Sequence, residues 1–213
     1  MTHTHVKICG LTRPEDAAAA VAAGADALGV ILAPSQRRVS AEQAAAVLAE
    51  APASVERFGV FVDAPLEEIL EAIEVCGLTA VQLSGSEPPE FCDRIPVPVM
   101  KAVHVGTDFG LEVMEPFRGH AAALLLDTFV TGKAGGTSQA FDWQTVGDLP
   151  GWAPAFVAGG LNPENVSACI AALHPFGVDV ASGVEIGPGV KDNTRIEAFC
   201  AAVRDADEES RIR

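Results

Sequence analysis

The sequence predicts an α/β fold, a single (β/α)8 barrel spanning residues 1–213. Three observations predict it. Eight short segments, β-branched or continuously apolar, recur along the 213 residues and alternate with longer helix-forming stretches. Strands that are apolar on both faces belong to a parallel sheet covered by helical crossovers. The length suits one closed barrel of roughly 200–250 residues, and no linker, low-complexity block or composition shift marks a second domain. An open doubly wound sheet is the structural rival, but eight regular units favour closure.

In chain order the strands are "HVKICGL", "ADALGVIL", "ERFGVFV", "TAVQLSG", "VPVMKAVHV", "AAALLLDTF", "APAFVAGGL" and "GVDVASGV". The helices follow from their end signals. "PEDAAAAVAAG" has Pro14 at its start, acids in the first turn and Gly24 as its stop. "SAEQAAAVLAEA" opens on Ser40 as N-cap. "PLEEILEAIEVCG" follows Asp63, a second cap, and stops at Gly77. "SEPPEFCDRI" is short. "NPENVSACIAAL" starts at Asn162 with Pro163 at the first helical position. "DNTRIEAFCAAVRDADEE" closes the chain, and the charged tail "DADEESRIR" is expected to fray. Segments 107–118 and 142–149 are weaker helical signals.

Composition narrows the function classes. The formal net charge is −15, so the surface is acidic, which argues against non-specific nucleic-acid or membrane binding. An anionic ligand would have to be held by local donors against that mean field. No stretch approaches the ~20 apolar residues of a membrane span, and "MTHTHVK" has no apolar core of a secretion signal. A cytoplasmic protein is expected. Five cysteines, Cys9, Cys76, Cys92, Cys169 and Cys200, are an odd number without CxxC spacing. The last four read as reduced thiols buried as small hydrophobes. No Cys/His spacing suggests a metal, and His3 and His5 read as solvated tail or strand-edge residues.

In this fold the chemistry sits at the C-terminal ends of the strands and in the loops that follow. The polar residues there are Cys9; Ser35, Arg37 and Arg38; Asp63; Gln82 and Ser84; His104; Asp127; Asn162 with Gly159 and Gly160; and Ser182 with Gly183. Side chains alternate along a strand, so Lys7 and Cys9 share one face and Val6 and Ile8 the other. The apolar pair suits the helix layer, which turns Cys9 inward. For Asp127 the pattern decides nothing, because Leu124, Leu125 and Leu126 suit either layer. Two glycine-rich turns, "VAGGLNPENV" after the seventh strand and "ASGVEIGPGVKD" after the eighth, suit a phosphate held by backbone amides and a helix N-terminus. The polar, glycine-rich stretch "TGKAGGTSQAFDW", with Gly135 and Gly136, has the composition of a loop that closes over a site.

Together and in this order, "KICG", "SQRRVS", "GVFVD", "VQLSG", "LLLDT", "GKAGGTSQAFDW", "AGGLNPENV" and "DVASGVEIGPGVKD" resemble the phosphoribosylanthranilate isomerases, ribulose-phosphate-binding TIM barrels of tryptophan biosynthesis. The resemblance implies an Amadori rearrangement of an aminoaldose to an aminoketose, without metal or cofactor. It implies Asp127 as general acid, Cys9 as general base and Arg37 as the partner of the anthranilate carboxylate, with Arg38 a bystander. Substrate contacts are expected from Lys7, Arg37, Gly135, Gly136, Gly159, Gly160, Ser182 and Gly183. A free thiol ionises near ~8.5, so Cys9 needs help to act as a base, and Lys7 on the same face is placed to give it. The implied partner is a small phosphosugar; nucleic acid and membrane are not expected, and the chain is a monomer or homodimer.

Three positions depart from the family pattern: Ser84 where histidine is usual, Ser138 where glycine is usual, and Gln36 where proline is common. Two alternatives stay open at this stage. One is the histidine-pathway aminoaldose isomerase, which uses an aspartate at the position of Cys9 and takes a substrate with two phosphates. The other is a non-catalytic phosphosugar-binding barrel, against which the pairing of Cys9 with Asp127 speaks.

Overall fold

Eight strands hydrogen-bond in chain order into one closed parallel barrel: β1 (His5–Ile8), β2 (Ala27–Ile31), β3 (Glu56–Phe61), β4 (Ala80–Leu83), β5 (Val99–Val105), β6 (Ala123–Thr128), β7 (Ala155–Val157) and β8 (Gly177–Val180). The computed structural model describes residues 3–105, 110–128 and 149–212. The glycine-rich stretch 131–143, with Gly135, Gly136 and Ser138, lies outside the described residues. β1 closes the ring by pairing in parallel with β8, Lys7 opposite Asp179 and Ile8 opposite Val180.

The two strand faces separate as period-two alternation requires. Val6, Ile8, Leu124, Leu126, Val178 and Val180 pack outward into the helix-facing core. Ala27, Phe58, Ala80, Met100, Leu125 and Phe156 fill the barrel interior. Leu124, Leu125 and Leu126 are all essentially inaccessible, and each such leucine stabilises the fold by roughly 1.5–3 kcal/mol. Leu125 belongs to the interior cluster, so Asp127, two residues on, shares the interior face at the barrel mouth. The choice that the leucine run left open is thereby made.

Helices α1 (Pro14–Ala23), α2 (Ala41–Leu48), α3 (Leu66–Cys76), α4 (Pro89–Cys92), α5 (Val166–Leu173) and α6 (Asn193–Ile212) lie between or after the strands. Their end signals act as read from the sequence at Pro14, at Gly24 and Gly77, both left-handed, and at Ser40, where Ser40 and Gln43 form a reciprocal capping box. Four expectations need correction. Asp63 does not cap α3; it adopts φ 50 and its carboxylate accepts a hydrogen bond from Ser86 N at 2.6 Å, tying together the loops after β3 and β4. Asn162 does not open α5, which begins at Val166; its Oδ1 accepts from Glu164 N and Asn165 N and so caps a preceding turn. Segment 107–118 is, where described, two 3-10 turns, Leu111–Val113 and Glu115–Phe117. The acidic tail does not fray through Ile212, because Asp207 accepts hydrogen bonds from Thr4 N and Thr4 Oγ1 at 2.7 and 2.6 Å and Ala206 is buried.

Past β8 the chain makes a 3-10 turn (Ser182–Val184) and then a small antiparallel pair, β9 (Glu185–Gly187) and β10 (Val190–Lys191). The sequence reading placed only a glycine turn here. The hairpin carries two of the charged groups that shape the site.

Candidate active site

Cys9 stands one residue past β1, its backbone N–H bonded to Val180 O at 2.8 Å, and is only 5% exposed. Its direction is shown by Gly29 on the neighbouring strand β2. A Cβ at position 29 would come within 2.9 Å of Cys9 Sγ and 3.2 Å of Lys7 Nζ. Thiol and ammonium therefore share one pocket of the interior, and a residue without a side chain makes the room. The other four cysteines pack in the helix-facing core. Burial pushes Cys169 up to about 12 and Cys200 up to about 11, the behaviour of inert thiols.

Lys7 is fully buried and donates to Asp179 Oδ1 at 2.8 Å, with its ammonium 5.4 Å from the Phe58 ring centroid. Burial opposes its charge, but Asp179 and Cys9 outweigh that and hold its pKa above the ordinary lysine value. Burial also dominates Cys9 and raises its pKa, while Lys7 and Lys191 pull it back down. Two cations are thus placed to favour the Cys9 anion against the effect of burial.

Around this core lies a network that sequence reasoning missed. Glu185 accepts two-pronged hydrogen bonds from Arg37, Nε at 2.8 Å and Nη2 at 2.7 Å, and a third contact from Lys191 Nζ at 2.8 Å. Lys191 Nζ also donates to Cys9 O at 2.6 Å and Ala181 O at 3.0 Å, so one ammonium joins the ends of β1 and β8. Burial alone would raise the Glu185 carboxyl, but Arg37 and Lys191 hold it below the usual range. Burial holds Lys191 below the usual lysine range in spite of Glu185 beside it. Arg37 crosses Gly10, whose φ of 70 and missing Cβ let the guanidinium stem lie against the backbone next to Cys9. Arg38, by contrast, is exposed.

Asp127 lies at the mouth on β6, half-buried, with His104 of β5 as its Cα partner across the strands. Gln82 of β4 shares the interior face with Ala80 and donates to Ser84 Oγ at 3.0 Å. Its buried Oε1 has no hydrogen-bond partner among the described residues. Gly159 and Gly160 both take left-handed φ, 83 and 68, in the turn after β7. Gly183 packs so closely that a Cβ there would overlap the carbonyl oxygen of Leu161. The glycine turns after β7 and β8 are thus one contiguous surface, with Ser182 at its edge. Of the expected site residues, the fold brings Lys7, Cys9 and Arg37 into one cluster, Gly159, Gly160, Ser182 and Gly183 into a second, and Asp127 to the interior face of β6.

Asp179 was detectable in principle. It is flanked by Val178 and Val180, which suit the helix layer, so it must face inward beside Lys7. Glu185 and Lys191 gave no such signal, because their positions depend on a hairpin with no periodic pattern.

Comparison with known proteins places this architecture. The family model for N-(5'-phosphoribosyl)anthranilate isomerase matches residues 6–202. The N-(5'-phosphoribosyl)anthranilate isomerase of Symbiobacterium thermophilum is 47% identical, the match covering 93% of this chain and 97% of that protein. The crystal structure of phosphoribosyl anthranilate isomerase from Thermotoga maritima superposes with a TM-score of 0.87 at 40% identity, over 95% of this chain and 99% of that one. A phosphoribosyl anthranilate isomerase in complex with reduced 1-(o-carboxyphenylamino)-1-deoxyribulose 5-phosphate superposes with a TM-score of 0.82 at 38% identity, with the same coverage. On sequence, fold and coverage alike, the chain belongs to the N-(5'-phosphoribosyl)anthranilate isomerase family.

Proposed function

We propose that the whole chain, residues 1–213, works as one barrel that converts N-(5-phosphoribosyl)anthranilate to 1-(2-carboxyphenylamino)-1-deoxyribulose 5-phosphate in the cytoplasm, as a monomer or homodimer. The observation that carries the reading is the inward-facing pair of Lys7 and Cys9 beneath Arg37, with Asp127 on the interior face of β6, in a member of this family. Among the described residues no helix is long and apolar enough to cross a membrane.

Asp127 gives a proton to the furanose ring oxygen, and the ring opens to a C1 iminium. Cys9 as thiolate removes the proton from C2. The C2–H electron pair becomes the C1–C2 π bond while the C=N π pair returns to nitrogen. Ketonisation puts a proton on C1 and leaves a carbonyl at C2, so the conversion is a balanced isomerisation. The iminium is the electron sink, and the chemistry calls for no cofactor. Lys7, wholly buried and bonded to Asp179, is read as acting through Cys9, in place of the direct substrate contact expected of it from the sequence. Glu185 holds Nε and Nη2 of Arg37, which orients Nη1 as the donor for the anthranilate carboxylate. The surface of Gly159, Gly160, Ser182 and Gly183 takes the phosphate through backbone donors, which an acidic protein can offer without surface lysines. Gly135 and Gly136, outside the described residues, are assigned substrate contacts on the family resemblance alone.

The histidine-pathway alternative loses its footing on the family match over residues 6–202 and on a thiol where that enzyme has a carboxylate. The test follows the loss of anthranilate fluorescence with N-(5-phosphoribosyl)anthranilate as substrate. Cys9→Ala and Asp127→Ala should each lower kcat by ~10²–10⁴-fold while the product analogue still binds. Full turnover in either variant would remove that residue from its role.

A further inference from the structure

We propose that His3, His5 and Asp26 form a binding site for a divalent transition metal of the zinc or cobalt type, at the end of the barrel opposite the catalytic mouth. His3 and His5 are two residues apart on the chain that enters β1, so they stand on one face, with ring centroids 5.0 Å apart. Asp26 immediately precedes β2 and reaches the same place. One ring nitrogen from each histidine and one carboxylate oxygen of Asp26 lie within 4.8 Å of one another. From the sequence the two histidines read as solvated residues with no ligand spacing, because the third ligand lies some twenty residues on and comes from another strand.

The contact between His3 and Asp26 has the length of an ion pair and is also compatible with two ligands of one metal. His3 Nε2 is 3.0 and 3.1 Å from the two Asp26 oxygens. Neighbouring ligands about 2.0–2.1 Å from one zinc ion are ~2.9–3.4 Å from each other, so this pair already has the required spacing. The carboxylate is fixed, since Asp26 Oδ2 accepts from Val6 N at 2.8 Å and Asp26 N donates to Val6 O at 2.9 Å. His5 is stacked on Phe176 at 4.3 Å, which orients its ring. The third ligand, from His5, lies within 4.8 Å of the others and would have to move closer to complete the set. Two imidazoles and one carboxylate favour zinc, cobalt, nickel or copper over magnesium or calcium, which prefer all-oxygen shells.

A second feature marks the place. His5 and Asp26 line a cavity of about 360 Å³ that reaches inward to Phe58, Met100 and Phe156. Three protein ligands leave at least one coordination position for water or an added ligand, and the cavity gives that position space. The site is built on the starts of β1 and β2, whereas Cys9 lies just past the C-terminal end of β1 and Asp127 near the C-terminal end of β6, so the metal would be separate from the isomerase chemistry.

The experiment uses the full chain, stripped of metal with a chelator and titrated with zinc chloride by calorimetry. One equivalent should bind. At a hundredfold excess over Kd the melting temperature should rise by about 5–10 °C. His3→Gln and His5→Gln should each weaken binding by on the order of 100-fold or more, with isomerase turnover and the zinc-free melting temperature unchanged. Cobalt should give visible ligand-field bands without a thiolate charge-transfer band. Failure to bind zinc, or binding that survives in His3→Gln and disappears in Cys9→Ala with loss of turnover, would overturn the proposal, the latter result moving the metal to the catalytic thiol. Because turnover is read separately, the isomerase assignment stands or falls independently.

Discussion

Replacing Lys7 with methionine tests whether charge on the inner face of β1 sets the ionisation of Cys9. Sγ and Nζ lie within 2.9 and 3.2 Å of one common point beside Gly29 and are no more than about 6 Å apart. At an effective dielectric constant of ~20, a unit charge at that distance favours the thiolate by ~2.8 kcal/mol, or about two pH units. Lys7→Met should therefore raise the Cys9 pKa by about two units above a value that burial has already raised. The sign follows from the thiolate being the active form. The ascending limb of kcat/KM against pH moves to higher pH, activity below the limb falls ~100-fold, and the two enzymes converge at high pH. The assay is anthranilate fluorescence across the pH range, paired with iodoacetamide titration of Cys9. Asp179 left alone in a buried site costs about 3–5 kcal/mol, so the double variant Lys7→Met, Asp179→Leu is the folding control. It should recover stability and also part of the pKa, because Asp179 itself raises Cys9. A limb that stays in place, or a loss of rate equal at every pH, would refute the electrostatic account.

Two further perturbations probe other parts of the molecule. Gly183→Ala drives a methyl group into the Leu161 carbonyl, so it should lower stability by ~1–3 kcal/mol and raise KM with little change in kcat; an unchanged KM in steady-state assays would show that the two glycine turns do not hold the phosphate jointly. Lys101→Met breaks the buried pair with Glu87 at 2.8 Å on the helix-facing side of β5, and should cost about 3–5 kcal/mol, lowering the melting temperature by roughly 6–20 °C with turnover of the folded enzyme unchanged. Reduced turnover at an unaltered melting temperature would place that pair in catalysis.

Much of this architecture could be read from residue order because local and tertiary preferences agree. Val6 and Ile8 turn Lys7 and Cys9 inward on chemical grounds alone, and the barrel places them so. Where a residue suits two environments, as with the leucines before Asp127, alternation gives no direction until neighbouring strands are known. Asp63 shows a different limit: its sequence context fits a helix cap equally well, yet its carboxylate bonds to an amide 23 residues away. Arg37 stood out as a loop arginine, but the carboxylate that aims it sits 148 residues further on, in a hairpin without periodicity. Charge networks assembled from distant loops are governed by closure of the ring, and no local pattern encodes that. The acidic C-terminus was misjudged for the same reason, since its order depends on a threonine at the opposite end of the chain.

The hydrogen atom that stands in for a side chain at position 29 has a consequence for how this enzyme can fail. Sulfur and ammonium lie side by side only because β2 contributes nothing between them. A single added carbon there would force one of the two to move while leaving every reactive group chemically intact. Activity in this barrel can be lost through crowding from a neighbour that takes no part in any proton transfer, and an inventory of acids, bases and cations would show no defect.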